Sequence, residues 1–116
     1  DRRRPALTNG TGGLSGPAIK PLALARCWEA AHAVKIPVIG SGGMATGRDA
    51  LEFMAAGATG VQVGTATFVE PEASTRMLSE MRTWLAAHGY AKATDLIGAF
   101  RADAAQEPAA ITRKDG

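Results

Sequence analysis

The chain has 116 residues, 46% hydrophobic and 21% charged, a globular composition with room for one small core. Its net charge of +2 is slight and its visible basic run, Arg2 to Arg4, is three residues at one end, so no nucleic-acid partner is expected. One cysteine, Cys27, excludes an internal disulfide framework and a multi-cysteine metal site; no apolar run nears the roughly 18 residues of a membrane span, and no signal-peptide layout opens the chain, so a cytoplasmic protein is expected.

The first residue is Asp1 rather than methionine, as in a piece of a longer protein. "PALTNGTGGLSGP", residues 5 to 17, is punctuated by glycine and proline and reads as an extended loop. From Pro21 to Val34 the apolar residues Leu22, Leu24, Ala25, Trp28, Ala31 and Val34 recur at spacings of three and four, which predicts a helix with Pro21 in its first turn. "IPVI", residues 36 to 39, is apolar and β-branched and reads as a strand buried on both faces. Thr46 and Asp49 have capping-box spacing, so a helix from about Gly47 to Ala56 should bury Ala50, Leu51, Phe53 and Met54 and stop at Gly57. "GVQV", residues 60 to 63, predicts a second strand, ending in Gly64 and Thr65. Pro71 and Glu72 open a longer predicted helix to about His88, with Met77, Leu78, Met81, Trp84 and Leu85 as its apolar stripe and Gly89 as its end. Residues 94 to 100 suggest a further helical turn or two, and residues 101 to 116 a flexible tail without an apolar face.

The order loop, helix, strand, helix, strand, helix describes an α/β unit with parallel strands, since a helix-bearing connection between neighbouring strands returns the chain to the same end. Two strands alone leave edges and faces wet, so the unit reads as roughly the last quarter of a larger (β/α)8 barrel; a small open α/β unit that self-associates is the alternative.

Both predicted strands end in glycine, and neighbouring parallel strands set those ends side by side. Gly42 and Gly43 then face Gly64 and Thr65, and backbone N–H groups exposed by glycine beside a helix N-terminus make a cradle for an anion. In (β/α)8 barrels a phosphate site commonly follows strands seven and eight, so a phosphorylated ligand is expected. On this reading a Cβ at Gly42 would occupy the approach of the phosphate. Glycine after a strand also serves simply to turn the chain, and phosphate binding alone names no reaction.

"TNGTGGLSGPAIKPLAL", residues 8 to 24, and "IPVIGSGGMATGRDALEFMAAGATGVQVGTATF", residues 36 to 68, closely resemble the carboxy-terminal part of dihydroorotate dehydrogenase, the flavin enzyme of pyrimidine synthesis. The resemblance runs from Arg3 to about Phe100, and "GLSGPAIKP" and "VQVGTATF" look most like the class 1 type B catalytic subunit. It implies that residues 1 to 100 are the carboxy-terminal segment of a single FMN-binding TIM barrel that oxidises dihydroorotate to orotate. It further implies that Gly16 lies against the flavin ring or ribityl chain, and that Gly42, Gly43, Gly64 and Thr65 take the FMN phosphate. The implied partners are an electron-transfer subunit carrying FAD and an iron–sulfur cluster, and a second catalytic subunit in a homodimer. In the family a base on a barrel loop removes the C5 proton while hydride leaves C6 for the flavin. That loop is expected upstream of residue 1, so no catalytic residue is assigned here, and the isolated chain is expected to be inactive.

The remaining chemistry-bearing residues have structural readings. Cys27 sits mid-helix and reads as a small core residue. His32 and His88 fall near helix ends, without a second ligand at metal spacing. Trp28, Trp84 and the four methionines fall on helical stripes, as core. Lys20, between the glycine loop and Pro21, reads as an exposed structural lysine or as a cation near the phosphate. Two other functional readings stay open: a flavin-independent barrel enzyme binding a phosphorylated substrate, and a catalytically inactive fragment or interaction module whose strand edges pair with another chain.

Overall fold

A computed structural model describes residues 4 to 100, and the predicted tail, 101 to 116, lies outside them. In chain order the elements are α1 (Lys20–Ala33), β1 (Ile39–Ser41), α2 (Gly47–Ala55), β2 (Gly60–Gln62), α3 (Thr65–Val69) and α4 (Ala73–Ala87), with 3-10 turns at Pro17–Ile19 and Ala93–Leu96. β1 and β2 pair in parallel, with Ile39 opposite Gly60, Gly40 opposite Val61 and Ser41 opposite Gln62. This is the predicted βαβ unit, with its strands adjacent and α2 as the crossover.

β1 starts three residues later than the apolar run suggests. Pro37 has no N–H to give a ladder, and the Val38 carbonyl is taken by the N–H and hydroxyl of Thr59, so strand pairing begins at Ile39 and runs into the glycines. The strand is covered on one face only. Gly40 is buried under Phe53, whereas Ile36 and Ile39 are 72% and 59% exposed, which corrects the expectation of a strand buried on both sides. Side chains alternate across a strand, and among the described residues the helices cover only the Gly40 side.

The helix α2 holds the core together. Its Ala50 and Phe53 pack in one cluster with Cys27, Met44, Ala58 and Met77, while Leu51 and Met54 pack in a second with Leu85 and Leu96. All four of its predicted core residues are buried, and Phe53 is the largest side chain fully removed from solvent. The Thr46 hydroxyl accepts from Asp49 N–H at 3.2 Å and the Asp49 carboxylate accepts from Thr46 N–H at 2.8 Å, the predicted capping box. Gly57, at φ +115°, turns the chain out of the helix.

The apolar stripe of α1 is narrower than its sequence suggests. Only Cys27 is buried, with Ala23 and Leu24 packed against the same cluster, and Leu22 is 55% exposed. Small residues at 23 and 27 let α1 approach the loop after β1 closely, so size rather than hydropathy selects the packed face. Leu78 of α4, 47% exposed, likewise lies off the buried stripe. Trp28 and Trp84 are half-buried; Trp84 stacks on His88 with ring centroids 3.9 Å apart, and Trp28 meets His32 at 4.3 Å with the rings tilted by 37°. Met44 is core but sits in the loop after β1 rather than on a helix.

Candidate functional site

The two strand ends open onto one cavity of about 460 Å³, walled by the loop before α1, the loop after β1 and the segment after β2. Gly16, Gly42, Gly43, Gly64 and Thr65 all line it. The fold thus gathers these five residues from three separate stretches of chain.

The glycines in this wall are glycines for different reasons. Gly42 has φ +124°, and a Cβ there would stand 2.6 Å from the Cβ of Ala23 on α1. Gly43 has φ +73°, and its Cβ would meet the Gly16 carbonyl at 2.8 Å and the Lys20 N–H nitrogen at 2.7 Å. The close approach at these two positions is to the start of α1, which corrects the expectation that a Cβ at Gly42 would fill the phosphate's path. Gly64 differs from both. Its φ of −114° lies outside the left-handed region, its ψ is −92°, and no protein atom lies within 4 Å of where its Cβ would be. Of the glycines lining the cavity, Gly16 and Gly64 are the two whose Cβ would meet no protein atom, and Gly64 alone of the four has a negative φ.

The donors divide in the same way. At the start of α2 the N–H groups of Ala45 and Thr46 are held by Asp49 Oδ2 at 2.9 and 2.8 Å, and Gly47 N–H by Glu80 Oε2 at 2.6 Å. Of the N–H groups at the helix N-terminus that the sequence offered to a ligand, that of Gly47 is thus taken by Glu80 and that of Asp49 by the Thr46 hydroxyl. Among the described residues, no turn or side-chain hydrogen bond takes the N–H of Gly43, Gly64 or Thr65. These three donors point the anion reading at the loop tips rather than at the helix end.

Charge around the cavity is arranged as a chain of pairs. Burial alone would raise the Asp49 carboxyl, but hydrogen bonds from Lys20, Ala45 and Thr46 outweigh it and hold the pKa at about 2. Lys20 pairs with Asp49 and, at 2.6 Å, with Glu52; burial works against its charge, but these two carboxylates raise its pKa. Lys20 is thereby committed to α2 and does not line the cavity, which settles it as a half-buried structural lysine. On the opposite wall Arg76 of α4 donates to Glu70 through Nε and Nη2, to Glu80 through Nη1 at 2.6 Å, and to the Ala45 carbonyl through Nη2 at 3.0 Å. Glu70 and Glu80 raise the pKa of Arg76; Gly47 N–H and then Arg76 lower that of Glu80.

Sequence reasoning missed Arg76 and Glu70, whose meeting depends on how α4 folds back over α2. The four-residue spacing of Arg76 and Glu80 was the one available signal. The Cys27 thiol is buried and raised in pKa by that burial, and it lies in the core away from the cavity. Among the described residues no three His, Cys, Asp or Glu side chains group as metal ligands, and no helix is long and apolar enough to cross a membrane.

Residues 1 to 85 match the family model described as dihydroorotate dehydrogenase. The chain is 62% identical over 100 residues to the dihydroorotate dehydrogenase B (NAD(+)) catalytic subunit of Geobacter sulfurreducens, covering 86% of this chain and 33% of that one. It is 60% identical over 100 residues to the subunit of the same name from Citrifermentans bemidjiense, with the same coverage. A crystal structure of the Eimeria tenella DHODH in complex with ferulenol superposes with a TM-score of 0.72 at 32% identity, over 77% of this chain and 24% of that one. The chain thus spans about a third of the length of the curated relatives it matches. Its parallel strands and helices are part of a (β/α)8 barrel.

Proposed function

This chain belongs to the dihydroorotate dehydrogenase family, and on that premise we propose that it is the FMN-phosphate-binding portion of a class 1 type B catalytic subunit. The reaction is the oxidation of dihydroorotate to orotate in cytoplasmic pyrimidine synthesis, for which FMN supplies the hydride acceptor when bound. The name of the Geobacter sulfurreducens relative, a catalytic subunit of an NAD(+) enzyme, supports a separate electron-transfer subunit; in this proposal that subunit carries FAD and an iron–sulfur cluster, and the catalytic subunits pair in a homodimer.

The observation that carries the proposal is the space at Gly64. A Cβ there meets no protein atom, yet the residue lines the cavity beside the untaken N–H groups of Gly43 and Thr65. Three backbone donors on one cavity and the Thr65 hydroxyl suit a phosphate monoester. Gly42 and Gly43 shape the opposing wall by letting α1 come close, and Gly16 closes the cavity on the side of the isoalloxazine and ribityl chain. The chain's own residues thus bind and orient; among the described residues the one carboxylate lining this cavity, Glu70, is held by Arg76.

The test is a hybrid in which this chain replaces the matching 100 residues of the Geobacter sulfurreducens subunit. Its apoprotein is titrated with FMN and with riboflavin, which lacks the phosphate. FMN is expected to bind at least about a hundredfold more tightly, as befits several charge-assisted hydrogen bonds. Equal binding of the two flavins removes the phosphate from this cavity.

A further inference from the structure

The two loops proposed to share the phosphate come from different strands, and something must fix their separation. One guanidinium touches both sides. Arg76 Nη2 donates to the carbonyl of Ala45, two residues past Gly43, and the same guanidinium grips Glu70, the residue that ends the helix begun by Thr65. Its Nη1 holds Glu80, whose second oxygen takes the N–H of Gly47 at the start of α2. Arg76, Glu70 and Ala45 line the cavity together.

We propose that Arg76 is a positioning residue that clamps the two walls of the phosphate cavity in register, acting through Ala45 on one loop and through Glu70 on the other; this rests on the phosphate reading above. The chemistry of arginine suits the task. A planar fork can serve three acceptors at fixed angles, which the single ammonium of lysine cannot. The guanidinium is also not a free cation for a ligand. It stands between two carboxylates, Glu70 and Glu80, with which the cluster carries one net negative charge. Its value to an anion therefore lies in geometry. Half-exposed pairs such as these add little to global stability, but a network closed on one side chain restricts relative movement of the segments it joins.

Glu70→Ala separates geometry from charge by the sign of its effect. Removing a carboxylate beside an anion site strengthens FMN binding if charge alone matters, and loosens it if Glu70 is one arm of a clamp. In the hybrid apoprotein, Glu70→Ala and Arg76→Lys are each expected to weaken FMN about tenfold while leaving riboflavin within about twofold, since the misplacement is confined to the phosphate end. Retained riboflavin binding and an unchanged far-ultraviolet circular dichroism spectrum show that each variant folds. Tighter FMN binding by Glu70→Ala, unaltered FMN binding by Arg76→Lys, or parallel loss of both flavins overturns the clamp. Failure of the parent hybrid to distinguish FMN from riboflavin instead overturns the phosphate reading, and the clamp with it.

Discussion

Gly64→Ala and Gly42→Ala add the same methyl group to the same cavity, and the structure requires them to behave differently. At Gly42 the backbone sits at φ +124°, a region sparsely open to residues with a side chain, and the new Cβ would stand 2.6 Å from Ala23. Strain and overlap together cost about 2–4 kcal/mol of stability, whether or not flavin is present. At Gly64 the φ is −114° with ψ −92° and the space around the Cβ is empty, so the loss of apoprotein stability is confined to a backbone cost of about 1–3 kcal/mol without overlap. If the space belongs to a phosphate, the methyl displaces it from at least one backbone donor. Losing one charge-assisted hydrogen bond costs about 1.5–3 kcal/mol, or roughly ten- to hundredfold in FMN affinity. The assay is thermal unfolding of the two hybrid apoproteins beside fluorescence titration with FMN and riboflavin. A Gly64→Ala protein that is stable and binds FMN as tightly as the parent refutes the reasoning, because the empty space would then hold nothing.

Three other consequences are open to measurement. Asp49 has its pKa lowered from 3.8 to about 2, so its stabilisation is present above its unfolded pKa and fades as pH falls through about 2. The stability gap between parent and Asp49→Asn, about 2 kcal/mol at pH 6, should therefore shrink toward pH 2 in acid-dependent urea melts, and a gap independent of pH would contradict the pairing. The buried Cys27 thiol should react with Ellman's reagent only as fast as the protein opens, and Cys27→Ala should keep FMN affinity; rapid labelling would place the thiol outside the core. Phe53→Ala, which empties the centre of the main core over Gly40, should cost about 3–5 kcal/mol in chemical unfolding, and a loss under about 1 would deny that core its place.

What could be read from the sequence was what neighbours in sequence determine. The Thr46–Asp49 capping box, the core face of α2 and the stop at Gly57 need only residues within a turn or two of one another, and all appear as expected. The β1 boundary slipped because hydropathy marks apolar residues, whereas a ladder needs donors, and Pro37 has none. The helix α3 was not predicted: "TATFV" is rich in β-branched residues and reads against a helix, and only the turn at Gly64 and the Thr67 N–H to Gly64 carbonyl bond start it. The site itself was half legible. Gly16, Gly42, Gly43 and Gly64 line one cavity, but no sequence feature separates those that admit α1, Gly42 and Gly43, from one whose space is left open, Gly64. Likewise Glu80 was invisible as a rival for the α2 N-terminus, because its reach to Gly47 spans 33 residues.

The position of the phosphate is the most direct test of the cavity's role. A crystal structure of the flavin-loaded hybrid should place FMN phosphate oxygens at about 2.7–3.2 Å from the N–H nitrogens of Gly43, Gly64 and Thr65, with the Arg76 guanidinium still bridging Ala45 and Glu70. A phosphate bound elsewhere in the barrel, or one held directly by Arg76 with Glu70 released, would contradict it.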